Sequence, residues 1–258
     1  MVLVNGYDID PQNPALWEAT HRRTRAIADA DQVTLVDIET NVRSLTDPIL
    51  PWPYAVSGGL AAVALLLRAG IKQVYIPASY DVDHQAPWFN FDTDRLWSTE
   101  VLNISHDGFE SSRLNKVQYI CQWPLALQHL RVCYANKKDT YNCGECEKCL
   151  RTMVSIYAAG MLDKAETFPQ YIDAARLSRV PIDSDIDAFY HQENLAALQA
   201  RQLAPHLQAA IEAALARAGG DSGTPLIRRF MNKVDHLDFS YARGSTRRLK
   251  ARITGRNF

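Results

Sequence analysis

Four of the five cysteines in this chain, Cys133, Cys143, Cys146 and Cys149, fall within the stretch Leu130–Met153 and are spaced C-x9-C-x2-C-x2-C. A thiolate at every third residue brings three sulfurs round one point, with Gly144 loosening the first turn. The fourth sulfur arrives from a loop ten residues upstream. Four thiolates match the tetrahedral preference of Zn2+, and an all-cysteine set leaves no open coordination position, so the site would be structural. Four ordinary thiols or two disulfides are the alternatives; free cysteines usually scatter rather than crowd into one short polar loop. Lys137, Lys138 and Lys148 would offset the charge of a dianionic zinc tetrathiolate. Cys121 sits in the apolar run VQYICQWPL and reads as a core thiol.

Other residues could do chemistry in weaker patterns. Asp81, Asp83 and His84 form a D-x-D-H cluster after a strand, suited to a second metal or simply solvated. The aromatic loop Pro87–Phe91 could stack a purine-like base or pack as a lid. Arg113 and Lys116 share a helix face at i, i+3 and could meet a phosphate or carboxylate, or be a surface pair. His106 at a strand end is a lone candidate for general base work. No Ser/His/Asp set and no Cys/His nucleophile pair can be assembled from the sequence. Ser57-Gly58-Gly59 before a helix looks like a phosphate-cradling loop, because N–H groups at a helix N-terminus bind phosphate. The alternative is a helix start with small residues for close packing on a sheet.

The elements that must position these residues follow from apolar periodicity. Met1–Asp8, Val33–Ile38, Gln73–Pro77 and Val101–Ser105 read as strands. Pro14–Asp31, Gly58–Ala69, Ser112–Gln122, Leu125–Leu130 and Glu147–Gly160 read as helices, and Asn41–Pro53 as a proline-punctuated loop. Near-continuous apolar strands alternating with helices predict a parallel sheet covered by helices on both faces, with ligands at the carboxyl ends of the strands. After Pro169 the pattern is helical: Tyr171–Leu177, Ile186–Glu193, and Asn194–Ala218, which Pro205 should kink or break. The expected organisation is an α/β domain over 1–168 holding the zinc loop at 130–153. A helical extension over 169–220 and a linker with a basic tail over 221–258 would follow.

With 258 residues the chain can bury one large core, or one domain plus an appendage. No apolar run is long enough to span a bilayer and no secretory signal is apparent, so a reducing, cytoplasmic setting is expected, with no membrane partner. The net charge of −1 hides an asymmetry: Leu226–Phe258 carries nine Lys/Arg against two Asp, and the rest carries 19 basic against 27 acidic residues. The globular part therefore offers no electrostatic case for nucleic acid. The tail reads as solvated, as an inter-subunit arm or as a nucleic-acid contact, with sparse aromatic interleaving favouring the first two.

The run Asn142-Cys-Gly-Glu-Cys-Glu-Lys-Cys-Leu-Arg, with Cys133 upstream, resembles the C-terminal zinc site of 7-cyano-7-deazaguanine synthase and its relatives. These belong to the pyrophosphatase-loop ATPases of the adenine nucleotide alpha hydrolase-like superfamily. Cys133, Cys143, Gly144, Cys146, Cys149 and Arg151 match that site. Val74–Asp81 resembles a late sheet strand with its acidic loop, and Trp97–Glu100 with Ser112–Lys116 resembles the segment preceding the zinc loop. The resemblance spans roughly Gly58–Phe168. It implies a Rossmann-like sheet of the HUP type with a zinc-stapled extension. It also implies adenylation of a carboxylate or carbonyl of a small molecule by ATP and Mg2+, followed by amide or nitrile formation. Asp81, Ser98, Glu100, Arg113 and Lys116 would then line the substrate cleft; no catalytic residue is assigned.

The family's pyrophosphate loop, S-G-G-x-D-S after the first strand, has no counterpart here: Ser57-Gly58-Gly59 continues Leu60-Ala61-Ala62 and lies after two strands. The first strand of this chain looks like the family's second. A truncated product, one half of a split enzyme whose partner chain supplies the N-terminal part, and a degenerate relative that no longer uses ATP all fit. The alternative outside this class is a non-catalytic zinc-binding α/β protein for a nucleotide-like ligand or a partner chain.

Overall fold

A computed structural model describes residues 1–84, 91–136 and 140–220. The chain is mixed α/β and divides into two compact units, one of Met1–Asp37 with Arg113–Ser222, the other containing Ile38–Ser112. Most of the aromatic loop, Lys137, Lys138 and the basic tail lie outside the described residues. Among the described residues, no helix is long and apolar enough to cross a membrane.

Strand β1 (Val2–Asn5) leads into helix α1 (Pro14–Ala30), and strand β2 (Val36–Glu39) follows. The start of α1 is set locally. Asn13 Oδ1 accepts from Leu16 N at 3.1 Å, and Pro14, which has no N–H to lose, opens the first turn. Leu16, Thr20 and Ala28 form its buried side. The ammonium of Met1 donates to Thr34 O at 2.7 Å and Met1 O accepts from Val36 N at 3.0 Å. One residue bonding to both neighbours of Leu35 is the parallel-ladder pattern, so β1 and β2 run parallel with α1 as the crossover.

The second unit begins with α2 (Val42–Thr46) and α3 (Trp52–Leu66). Helix α3 starts six residues before the sequence expectation. Pro51 is its N-cap and Pro53 sits in its first turn. Prolines read as loop punctuation are here helix-start residues, tolerated because first-turn N–H groups need no intrahelical partner. Strands β3 (Gln73–Pro77) and β4 (Asn103–Asp107) pair in parallel with Val74 opposite Ile104, and the short helix α4 (Phe91–Asp94) lies between them in sequence. Strand β4 begins two residues later than expected because Thr99 Oγ1, accepting from Leu102 N at 3.2 Å, holds a turn over Val101 and Leu102. Ile76 and Ile104 pack with Ala61, Ala64 and Leu102 as the core of this unit.

The shift of α3 removes the phosphate-loop geometry from Ser57-Gly58-Gly59. These residues lie inside the helix, where backbone N–H groups bond to the preceding turn. The buried Ser57 hydroxyl donates to Asp94 Oδ1, and Trp97 Nε1 donates to Ser57 Oγ at 3.2 Å. His106 Nε2 meets Asp94 Oδ2 at 2.6 Å, with both side chains buried. This set was not assembled from the sequence because its members come from a helix interior, a helix end and a strand. The carboxylate stands between hydroxyl and imidazole, so the imidazole cannot take the serine proton and the set is a structural clamp. Ser57→Ala leaves Asp94 one donor short and is expected to cost about 1–3 kcal/mol in urea unfolding.

The first unit resumes with α5 (Arg113–Ile120), α6 (Pro124–His129), α7 (Glu147–Ala158), α8 (Ala174–Leu177), α9 (Asp185–Ala200) and α10 (Pro205–Gly220). Ser184 caps α9 through Asp187 N at 3.2 Å. Pro205 opens α10 after a break in which Gln202 and Ala204 take φ of 53° and 44°. Helix α9 runs through Asn194, so the expected boundary there falls in mid-helix.

Helix α7 is the hub of this unit. Every residue from Cys149 to Ile156 is buried. Leu150, Val154 and Ala158 pack with Leu177, Leu198, Leu207 and Ile211, from α8, α9 and α10. Met153 and Ile156 pack on the opposite side with Val117, Leu127 and Phe168. Cys121 belongs to this second cluster, as expected of a core thiol, and burial pushes its pKa up. Gly160, at φ 77°, ends the helix.

Candidate metal centre

The cysteines reach one point because three local devices bend the chain there. Cys146 is the N-cap of α7, which places Cys149 one turn into the helix. Gly144 takes φ +66°, the left-handed conformation that turns the chain sharply between Cys143 and Cys146. Asn142 ties the incoming limb to the outgoing one. Its Oδ1 accepts from Val132 N at 2.9 Å and Cys133 N at 3.2 Å, and its Nδ2 donates to Leu130 O at 2.8 Å. Asn142 was visible in the sequence only as the residue before Cys143; its role needs the fold.

The four Sγ atoms lie within 4.8 Å of one another, with Cys133–Cys146 and Cys143–Cys149 both at 3.9 Å. All five cysteines are free thiols, which disposes of the disulfide alternative. Three of the four are buried, and Cys143 is half-buried. Glu145 N and Cys146 N both point at Cys143 Sγ, at 3.4 and 3.3 Å, so backbone dipoles favour a thiolate there. The sulfurs do not titrate alike. Hydrogen bonding with Cys149 draws Cys146 down to about 5, against burial. The same bond, followed by burial, pushes Cys149 up, and burial pushes Cys143 up. A bound divalent cation would replace this competition for protons by deprotonating all four.

Lys148, the described member of the expected lysine trio, lies with Nζ 4.8 Å from the Tyr134 ring centroid. Burial first, then the Arg113 guanidinium, hold it below the usual lysine range. Arg151 and Glu147, one turn apart on α7, are both buried and meet at 3.0 Å from Nε to Oε1. Arg151 also stacks over Tyr190 at 4.3 Å, and His191 Nε2 lies 3.4 Å from Glu147 Oε1. Ser155 Oγ donates to Asn194 Oδ1 at 2.7 Å, and Asn194 Nδ2 donates to Arg151 O at 3.0 Å. This polar weld joins α7 to α9. The i, i+4 spacing of Glu147 and Arg151 was its one sequence signal.

The residues expected to line a substrate cleft fall in both units. Asp81, Ser98 and Glu100 belong to the Ile38–Ser112 unit; Arg113 and Lys116 stand half-buried on α5 in the other. Ser98 Oγ accepts from Ile104 N at 2.9 Å and so helps to begin β4, while Glu100 is exposed. Asp81 Oδ1 faces His84 Nδ1 at 2.7 Å and accepts from Asp83 N at 3.2 Å, closing a turn. Among the described residues, the four cysteines are the one group of His, Cys, Asp and Glu side chains placed to share an ion.

Fold and site together define a mixed α/β protein with a buried four-cysteine group that can hold a metal ion. No protein-family model, curated protein or solved structure matches this chain significantly.

Gly144→Ala tests the tight turn. A Cβ there would lie 2.5 Å from Pro169 Cγ and 3.0 Å from Pro169 Cδ, on a backbone already at φ +66°. A loss of about 1–3 kcal/mol from the strained φ, with the clash added, is expected in thermal unfolding of the metal-loaded chain. Adding Pro169→Ala should return the clash part and leave the φ part.

Proposed function

We propose that this chain is the zinc-stapled α/β part of an ATP-dependent amide- or nitrile-forming enzyme of the pyrophosphatase-loop class, related to 7-cyano-7-deazaguanine synthase. It acts on a small molecule once a strand, a pyrophosphate loop and a helix are supplied from outside residues 1–258. The observation that carries this reading is the convergence of Cys133, Cys143, Cys146 and Cys149, the residues that match the family's zinc site. A Zn–S bond of about 2.3 Å gives a tetrahedral S···S edge of about 3.8 Å. Two of the S···S separations are 3.9 Å, so the group needs little movement to take zinc. Zinc there is structural: four protein ligands fill its coordination, and its role is to hold the start of α7. The HUP-type sheet is part of the same reading, supported by two parallel strand pairs and a crossover helix.

The chemistry this assigns is division of labour. ATP and Mg2+ supply the adenylate; the added loop holds the pyrophosphate. Asp81, Arg113 and Lys116 are the candidates for binding substrate. Glu100 is a further, exposed candidate, and Ser98 contributes through the position of β4.

A second reading, a non-catalytic zinc-stapled protein that binds a nucleotide-like ligand or a partner, is favoured by one observation. Ser57–Gly59 lies within α3 with its serine hydroxyl committed to Asp94, so that segment holds no phosphate. The two readings part on one experiment. The zinc-loaded chain is titrated with ATP and Mg2+ by calorimetry, and pyrophosphate release is followed with and without an added strand–loop–helix segment. The enzymatic reading expects release that depends on the added segment. Release by the chain alone would place a phosphate site elsewhere, and silence in both arms would leave the non-catalytic reading.

A further inference from the structure

Polar atoms inside a native fold are almost always hydrogen-bonded, to protein or to ordered water. The seam between α7 and α9 departs from that rule on the protein side. Glu147 Oε1, Arg151 Nε and Nη1, and His191 Nδ1 and Nε2 are all buried, and none has an aligned partner among the described residues. Arg151 is 4% exposed and His191 0%. Three of these atoms meet at one corner. Arg151 Nε lies 3.0 Å and His191 Nε2 lies 3.4 Å from Glu147 Oε1, close enough for attraction. Neither approach is aligned as a hydrogen bond.

The surrounding side chains do not make up the deficit. Ser155 and Asn194 bond to each other and to Arg151 O. Tyr190 offers the guanidinium its ring face. The other contacts along the seam, through Leu150, Val154 and Leu198, are apolar.

Charge and donor inventory decide what completes the corner. The guanidinium and the carboxylate cancel, so an added ion would be a buried charge without a counter-charge. An anion would also be repelled by Glu147, and a cation by Arg151. The guanidinium only donates, the carboxylate only accepts, and a neutral imidazole does one at each nitrogen. An occupant must therefore accept and donate at once. One water oxygen can accept from Arg151 Nε, donate to Glu147 Oε1 and bond to His191 Nε2 in either sense. A buried water makes about three such bonds.

We infer that the α7–α9 interface is a hydration site: an ordered water sits at the corner of Glu147, Arg151 and His191, and the same seam supplies water to Arg151 Nη1 and His191 Nδ1. The water joins the helix that begins at Cys146 to its neighbour α9. The inference is independent of the proposed function and holds for either reading of it.

The test uses the full zinc-loaded chain with its histidines isotope-labelled at Cε1. Hε1 of His191 lies between the two ring nitrogens, so water bonded to either one gives it a direct dipolar cross-peak in nuclear Overhauser spectra. His191→Gln identifies the signal by its loss. Magnetic relaxation dispersion of the water oxygen, which is blind to exchanging side-chain protons, counts the long-lived waters. Combining Glu147→Leu, Arg151→Met and His191→Phe replaces the corner by apolar groups, an exchange that buried charge pairs often tolerate. The cross-peak is expected at Hε1, and the dispersion amplitude of the triple variant should fall by about one water per chain or more, with zinc content unchanged. Should the triple variant not fold, the cross-peak in the unaltered chain decides. No cross-peak at Hε1 would overturn the inference, as would an equal dispersion amplitude in the folded variant. A saturable shift of Hε1 on titration with chloride or formate would overturn it too, by giving the corner to an anion.

Discussion

Cys146→Ser is expected to abolish stoichiometric metal binding and to unfold at least Arg131–Gly160. A structural zinc contributes about 10–16 kcal/mol of apparent binding energy, comparable to or larger than the whole stability of a typical domain, about 5–15 kcal/mol. In this chain the loss is not confined to the loop. Cys146 caps α7 and Cys149 lies in its first turn, and the residues that follow pack into both apolar clusters of the unit. Releasing the first turn exposes Leu150, Met153 and Val154 together. Zinc analysis of the purified variant, with hydrogen exchange over α7, checks this. One zinc per chain retained in the variant, with α7 still protected, would remove Cys146 from the ligand set.

Arg151→Met is expected to cost about 3–5 kcal/mol, because it leaves the Glu147 carboxylate buried beside His191 without its cation. Burying a charge pair is itself costly, so removing both charges should cost less than removing one. Glu147→Gln combined with Arg151→Met is therefore expected to recover much of the loss. The cycle is measured by denaturant unfolding of the four zinc-loaded forms, with zinc content checked in each. Simple additivity would mean that the 3.0 Å approach of Arg151 and Glu147 contributes no coupling.

The cysteine group was the easiest feature to read from sequence, because four soft ligands in a short loop have few other uses. Strand β3 came out with its observed bounds, and α1 and α7 within a residue or two. Period, caps and glycine stops all agree there. The reading failed where a residue has two local meanings. Pro51 and Pro53 punctuate loops and also open helices, and only the packing of Ala61 and Ala64 under β3 and β4 decides that α3 begins at Trp52. Moving that start carried Ser57 from a helix N-terminus into a helix interior and turned a possible phosphate ligand into a partner of Asp94.

Residues that act through tertiary contact were out of reach. Asn142 holds the metal loop by bonding to residues ten and more positions upstream, and Asn194 reaches Arg151 from a different helix. Neither has a periodic or compositional signal. The same limit explains Asp94 and His106, which lie near each other in sequence yet belong to a helix end and a strand. Their meeting depends on how β4 packs against the end of α4.

The most direct test of the central claim, a four-thiolate metal staple at the start of α7, is X-ray absorption at the zinc edge of the metal-loaded chain. The account expects one zinc per chain with four sulfur neighbours at about 2.3 Å and no lighter neighbour in the first shell. A nitrogen or oxygen neighbour, or a chain that folds with α7 protected and binds no stoichiometric metal, would contradict it.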